Sequence, residues 1–324
     1  MRDGVQAEIP APAPSGGAGD GRSPGSGREV VVAAQDTTLP RGGPLRSLLK
    51  RLYYSWAFRR LIYGPLDFAE RVAGRRDPLM PPRRLQYVGR GDFETQGLLL
   101  RELLVGRGLD SDSDFLDIGC GVGRAAIALI PVIEEGSYRG FDIVPAGIEW
   151  CRREITSRHP NFRFELADVN NRQYNPDGDT PADRYVFPYE DESFDLALAS
   201  SVFTHMRPDG TRRYLAEAER VLRPGGELLC EFFLLDEIGL EVVRRGDSAF
   251  ALDHRFEDPS GVGFLASDAR VPEYNVGLHE RDLETMAADA GLDLVAIEFG
   301  RWTGRWGGPQ GRLQDLVTLR KPRS

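Results

Sequence analysis

The sequence predicts an α/β protein whose doubly wound, mostly parallel sheet is covered by helices on both faces. Three observations carry that prediction. From residue 93 onward, short apolar runs alternate with stretches of 10 to 15 residues that have helical periodicity. The first apolar run leads into a helical stretch through the glycine-rich turn of "DFLDIGCGVGRAAIAL", residues 114–129. The chain, 324 residues at 41% hydrophobic and 28% charged, is long enough to bury one core of about 200 to 250 residues.

Residues 1–44 are rich in Pro, Gly, Ala and Ser, a composition that buries too little apolar area to offset chain ordering, so a disordered tail is expected there. It lacks the basic start and apolar core of a secretory signal, and no 18-residue apolar run suits a membrane span. Within 45–63, "LRSLLKRLYYSWAFRRLIY", Leu45, Leu48, Leu49, Leu52, Tyr53 and Trp56 share one helical face among five basic and no acidic residues. Two readings stay open: a helix packed on the folded domain or a second protomer, and one lying at the periphery of an anionic membrane. The prolines of "DPLMPPRRLQYVGRGDF" then predict an extended connector, so 45–92 reads as a basic helix plus connector.

The remaining elements follow in order. A helix is expected over 93–106, a strand over 114–118, a helix over 123–134, a strand over 138–142, a helix over 146–158 and a strand over 162–167. After an irregular loop come a strand over 194–199, a helix over 210–222, a strand over 226–234, a helix over 280–290 and strands over 293–299 and 313–320. Ligands of such sheets bind at the carboxyl ends of the strands.

Charge and cysteine usage narrow the chemistry. The net charge of −9 divides into about −1 over 1–44, about +8 over 45–90 and about −16 over the remainder, which argues against a nucleic-acid substrate. Cys120, Cys151 and Cys230 are odd in number and have no metal-ligand spacing, so neither a disulfide framework nor a zinc site is expected, and a reducing cytoplasm fits. Lysine occurs only at Lys50 and Lys321 while arginine is abundant, the usage of a G+C-rich bacterial genome.

The turn of Gly119, Gly121 and Gly123 brings backbone close to a ligand at the start of a helix. A dinucleotide fingerprint requires G-x-G-x-x-G, but here the third glycine position is Arg124 and the spacing is G-x-G-x-G after Asp117. A pyrophosphate is repelled by that acid, whereas a cofactor with a cationic amino group is attracted by it.

Five motifs then resemble, in order, those of the class I S-adenosylmethionine-dependent methyltransferases: "LDIGCGVGR", "YRGFDIVPAGIEWCR", "FRFELADVN", "FPYEDESFDLALASSVFTHM" and "YLAEAERVLRPGGELLCEFFL". The resemblance covers about residues 93–320. It implies a Rossmann-like seven-stranded sheet with an antiparallel last strand, a methyltransferase domain over 93–324 and a cap-like insertion over 236–279. It also implies S-adenosyl-L-methionine as cofactor. Asp117 would hold its methionyl ammonium, directly or through water, above the turn of Gly119, Cys120, Gly121, Gly123 and Arg124. Asp142, with Ile143 beside it, would accept both ribose hydroxyls, Asp168 the adenine amine, and the Val169 backbone would address a ring nitrogen; Ser200 closes the site after the fourth strand.

His205, just beyond that strand, is the candidate general base, since an imidazole accepts a hydroxyl proton near neutral pH. Glu231 is a second candidate, and His254 and Tyr274 lie in the insertion. No metal is expected, because no acid and histidine set matches the metal-dependent catechol-type enzymes. "SSVF" stands where adenine or glutamine N-methyltransferases carry Asn-Pro-Pro-Tyr or Asp-Pro-Pro-Tyr, which counts against adenine or glutamine N-methylation. The loop 170–191 is expected at the acceptor rim, as is "GRWTGRWGGPQGR", 300–312, whose Trp302, Trp306, Arg301 and Arg305 suit stacking on a sugar or holding an acidic group. The resulting expectation is O-methylation of a small-molecule, glycan or lipid-linked acceptor. Aminopropyl transfer on the same fold, a non-catalytic recruitment domain and an NAD-dependent dehydrogenase are the alternatives.

Overall fold

The first strand, β1 (Asp114–Ile118), is the centre about which the sheet is wound. In the computed structural model, which describes residues 56–74, 77–86, 92–307 and 311–323, β1 pairs in parallel with β2 (Ser137–Asp142) on one side and β4 (Phe194–Ala199) on the other. The order continues outward to β3 (Phe162–Leu166) beyond β2 and to β5 (Leu222–Leu235) beyond β4. The strand order therefore reverses between β1 and β4, and a crevice opens at their carboxyl ends. The expected tail at 1–44, most of the expected basic helix at 45–63 and part of the connector lie outside the described residues.

Alternation along each strand feeds two cores. Phe115, Tyr138, Phe162, Phe164 and Leu198 pack beneath α2 (Phe93–Gly106), α3 (Arg124–Leu129) and α4 (Pro145–Cys151). On the opposite face Leu116, Ile118, Phe141, Ala197 and Cys230 meet α5 (Pro208–Val221) and α7 (Glu280–Asp289) through Tyr214, Leu215, Leu283 and Met286. The third expected helix is shorter than its periodicity suggests: α3 stops at Leu129, and although Ile130 keeps helical backbone, Pro131 has no N–H with which to continue the ladder. The first described helix, α1 (Trp56–Val72), runs through Pro65. Buried Asp67 ties it to the following connector by accepting from the Arg83 and Arg84 amides and from Arg84 Nη1, at 2.8, 3.4 and 2.9 Å. Leu61, Leu66, Phe68 and Val72 of this helix are exposed. Among the described residues no helix is long and apolar enough to cross a membrane.

The far side of the sheet departs from the seven strands expected. The antiparallel strand β10 (Asp315–Arg320) does insert between β5 and β9 (Asp293–Glu298), but its pairing with β5 ends at Asp315 opposite Phe232. β5 runs three residues further, and that free edge takes up β8 (Val276–His279) in parallel, Phe233 opposite Gly277 through Leu235 opposite His279. β7 (Gly263–Ala266) and β6 (His254–Glu257) extend the ladder antiparallel, giving ten strands among the described residues. The 236–279 insertion, which opens with α6 (Glu237–Arg245), is thus partly a sheet extension rooted on β5.

A single buried carboxylate organises this corner. Asp315 is fully buried, and its oxygens accept from the Leu234 amide (2.7 Å), the Gly300 amide (2.7 Å) and Trp302 Nε1 (2.8 Å). Burial pushes its carboxyl up to about 6, against the pull of these donors and of the Arg305 charge. Trp302, expected to face a ligand, is instead core: it is 1% exposed and packs on Phe233 at 5.3 Å between ring centroids. Arg305 is likewise engaged, its Nη2 donating to both Asp236 oxygens at 2.6 and 2.7 Å and its guanidinium lying over the Phe299 ring, so it does not offer an anion site. Trp306 is exposed. Replacing Trp302 by Ala should cost about 3 to 5 kcal/mol of folding stability in urea unfolding, the price of a large buried aromatic; a loss below about 1 kcal/mol would contradict its role in the core.

Candidate functional site

The crevice at the β1 and β4 carboxyl ends is a cavity whose walls come from four successive strand-to-helix turns and one loop of the insertion. The turn after β1 is pinned to the end of β2: Gly119 N and Cys120 N both donate to Phe141 O, at 2.8 and 3.0 Å, and Gly121 N donates to Asp142 Oδ2 at 2.9 Å. Gly119 and Gly121 both have left-handed backbone, with φ of +72° and +56°, and both line the cavity. They are glycine for different reasons. A Cβ on Gly119 would stand 2.4 Å from Val202 Cγ2, whereas a Cβ on Gly121 would meet nothing within 4 Å. Gly119 is demanded by protein packing; at Gly121 the open space belongs to the cavity.

The structure divides the residues singled out in the sequence. Gly119, Gly121, Asp142, Ile143, Val169, Ser200 and His205 all line the cavity. Asp117, Cys120, Gly123, Arg124 and Asp168 do not form its wall. Asp142 accepts from the Gly121 amide with one oxygen and from the Val144 amide with the other (2.8 Å), so it shapes the turn as well as facing the cavity. Burial raises its pKa. A carboxylate has about four acceptor positions, which leaves room for two further donors.

Asp117 lies beneath the turn, 3% exposed, and accepts the Tyr138 hydroxyl. Burial pushes its carboxyl up to about 7; Tyr138 and the Arg124 charge pull down, while Asp142 adds to the rise. Cys120 and Gly123 pack into the protein, the former against Gly140 and the latter against Ile155 and Cys151. The Arg124 guanidinium lies over the Phe93 ring, 5.3 Å from its centroid. Asp168 stands outside the wall: it is exposed, and its Oδ1 accepts from the Asp179 amide at 3.3 Å, the local bonding of a turn acid.

After β4 the chain turns through Ser201, which holds a left-handed φ of +57° without being glycine. Such backbone costs about 1 to 2 kcal/mol and persists only when neighbours impose it. Glu231 does so by accepting from Ser201 N (3.0 Å) and Ser200 Oγ (2.8 Å), and Ser201 Oγ donates to Gln314 Oε1 (2.8 Å). Glu231, a candidate base in the sequence, is therefore committed to the turn and absent from the cavity wall. The next turn (Phe203–His205) is anchored by Phe203 stacked on Phe232 at 4.8 Å between centroids, which presents His205 at the cavity.

His205 is oriented on three sides. Its Nδ1 lies 3.3 Å from Glu273 O; a carbonyl only accepts, so this bond places the proton on Nδ1 and leaves the lone pair on Nε2. Tyr174 meets the ring edge-on at 5.3 Å, and Asn171 Nδ2 donates to the His205 carbonyl at 2.9 Å. Burial pushes the imidazole down to about 4, so it is neutral at physiological pH. Asn171 and Tyr174 come from the 170–191 loop, which supplies one cavity wall. Glu273, between β7 and β8, is a wall residue with no signal in the sequence; the insertion's His254 and Tyr274 stand outside the wall.

Comparison with known proteins places this cavity in context. Residues 115–226 match the family described as a methyltransferase domain. Phthiotriol/phenolphthiotriol dimycocerosates methyltransferase 1 of Mycobacterium ulcerans is 38% identical over 119 residues, 35% of each chain. The 27-O-demethylrifamycin SV methyltransferase of Amycolatopsis mediterranei is 32% identical over 193 residues, 58% of this chain and 59% of that one. The matched segments thus span from about a third to three fifths of these relatives' lengths. Among solved structures, an S-adenosylmethionine-dependent methyltransferase of Methanosarcina mazei superposes with a TM-score of 0.45 at 19% identity, over 68% of this chain and 98% of that one. The ordered motifs, the sheet that reverses at β1 and the family match over 115–226 make this a chain that carries a class I S-adenosylmethionine-dependent methyltransferase domain.

Proposed function

We propose that this protein transfers a methyl group from S-adenosylmethionine to a hydroxyl of a small-molecule or lipid-linked acceptor, with His205 as general base. The observation that carries the proposal is an imidazole held as the Nδ1–H tautomer by Glu273 O, lining the same cavity as Gly121 and Asp142. The relatives, whose names specify phthiotriol dimycocerosates and a demethylrifamycin as acceptors, support both acceptor classes.

The cavity suits the cofactor on its own chemistry. The space over Gly121 admits a ligand against backbone, Asp142 has acceptor capacity for ribose hydroxyls, and the carboxylates of Asp117 and Asp142 favour a cation. Val169 and Ile143 supply apolar wall for a purine. When bound, the cofactor supplies a sulfonium-activated methyl group, so the protein's part is alignment, exclusion of water and removal of one proton. His205 Nε2 takes the hydroxyl proton as the new bond forms. A base with a pKa near 4 serves, because an alcohol oxygen becomes a strong acid once it gains a third substituent.

Substitutions and pH profiles test this reading. Gly121→Ala should cost about 1 kcal/mol of stability through its left-handed backbone yet abolish thermal stabilisation by S-adenosylhomocysteine; full stabilisation of the variant would move the cofactor elsewhere. His205→Ala should lower kcat by about 100-fold or more, with S-adenosylhomocysteine affinity unchanged. Wild-type kcat should stay level from about pH 8 down to about pH 5, and a limb falling near pH 6.5 would contradict the neutral buried imidazole. Cofactor binding should also follow Asp117. Its carboxyl is partly protonated near neutral pH and a bound ammonium favours the ionised form, so affinity measured by calorimetry should rise from about pH 6 to about pH 8 and then level off. Asp117→Asn should flatten that rise, and an unchanged slope would detach Asp117 from the cofactor.

A further inference from the structure

The helix α1 is held along one side only. Asp67 is buried against the connector, where it accepts from the Arg83 and Arg84 amides and from Arg84 Nη1, and Tyr63 and Gly64 are half-buried. At about 100° per residue these three positions share one arc of the helix. Leu61, Ile62, Leu66, Phe68 and Val72 fall on the opposite arc, about 160° wide. All five are exposed, Leu61, Phe68 and Val72 by 69 to 76%. A helix on a protein surface ordinarily buries its apolar stripe and turns its acids to water, and α1 does the reverse.

Charge selects what covers this face. Residues 45–90 carry eleven basic residues and three acids, about +8, and α1 itself includes Arg59, Arg60 and Arg71. The chain beyond residue 90 carries about −16. A second copy docked helix to helix would set two such basic segments against each other. An anionic lipid surface instead supplies hydrocarbon for the apolar arc and phosphate for the basic residues around it. Since α1 is not long and apolar enough to cross a membrane, its place is flat in the headgroup region. The acidic remainder is repelled by the same lipids, which leaves this helix as the point of contact.

We propose that α1 is an interfacial helix that docks the protein on an anionic phospholipid bilayer, with Leu61, Phe68 and Val72 inserted below the headgroups. The proposal goes beyond the methyl-transfer reading and does not depend on it.

The test mixes the full chain with vesicles of phosphatidylcholine alone or of phosphatidylcholine with about 30% phosphatidylglycerol. In flotation the chain should bind the anionic vesicles at least about tenfold more tightly than the neutral ones, and raising salt from about 0.1 to about 0.5 M should weaken that binding several-fold. Leu61→Asp combined with Phe68→Asp should lower binding to the anionic vesicles by about tenfold or more with the thermal midpoint unchanged, because both side chains are exposed. Cys120, Cys151 and Cys230 are buried, so a Phe68→Cys variant takes a nitrobenzoxadiazole dye at that position, and its emission should shift to the blue on anionic vesicles. No preference for anionic vesicles, undiminished binding of the double variant or unshifted emission from the bound dye would overturn the proposal. So would a dimer in sedimentation velocity that the double variant abolishes, since a second copy would then cover the face.

Discussion

The attachment of the β1 turn to the end of β2 is the constraint on which the site depends. Two successive amides, of Gly119 and Cys120, converge on one carbonyl at Phe141, and the next residue's amide reaches Asp142. These bonds hold the backbone open over the strand ends. They also explain the double duty of Asp142: one oxygen shapes the glycine turn, the other caps the Val144 amide, and remaining acceptor positions face the cavity. A carboxylate is the side chain that can serve so many donors at once.

The acceptor side is built on the overrun of β5. Its last three residues outreach β10, and on that edge the β6–β8 ladder is founded, whose loop delivers Glu273. The same overrun is secured by Asp315, which binds the Leu234 amide, the Gly300 amide and the Trp302 indole in one buried cluster. The general-base candidate is therefore oriented by a carbonyl from an element more than 60 residues away in sequence, itself supported by a strand extension. Glu231, on the same strand, holds Ser201 in left-handed backbone and so sets the path of the turn that leads to His205.

Burial acts on this site in two directions. It raises the carboxyls of Asp117 and Asp142, groups that a cationic cofactor would return to their ionised forms, and it lowers the imidazole of His205, which keeps it a proton acceptor. Both shifts come from the same low-polarity surroundings, since burial penalises whichever form is charged. An acidic pocket with a neutral base suits a cationic donor.

The sequence by itself determined the α/β class, the ranges of seven strands to within a few residues, and the glycine turn after β1. Local alternation and helical periodicity are properties of contiguous residues, and strand ends followed by glycine mark a turn without reference to distant contacts. It determined less about side-chain direction. Asp168 and Asp142 both follow strands, yet one faces the cavity and the other bonds within its loop, a difference set by the loop that returns from Asp179. Trp302 carries the composition of a ligand-facing hairpin, but Asp315 and Phe233 draw it into the core. Only the tertiary structure decided the β6–β8 ladder, the commitment of Glu231 to the β4 turn, the tautomer of His205 and the presence of Glu273. Each arises where residues far apart in the chain exchange hydrogen bonds or strand edges, and no local pattern records which partner a buried polar group will find.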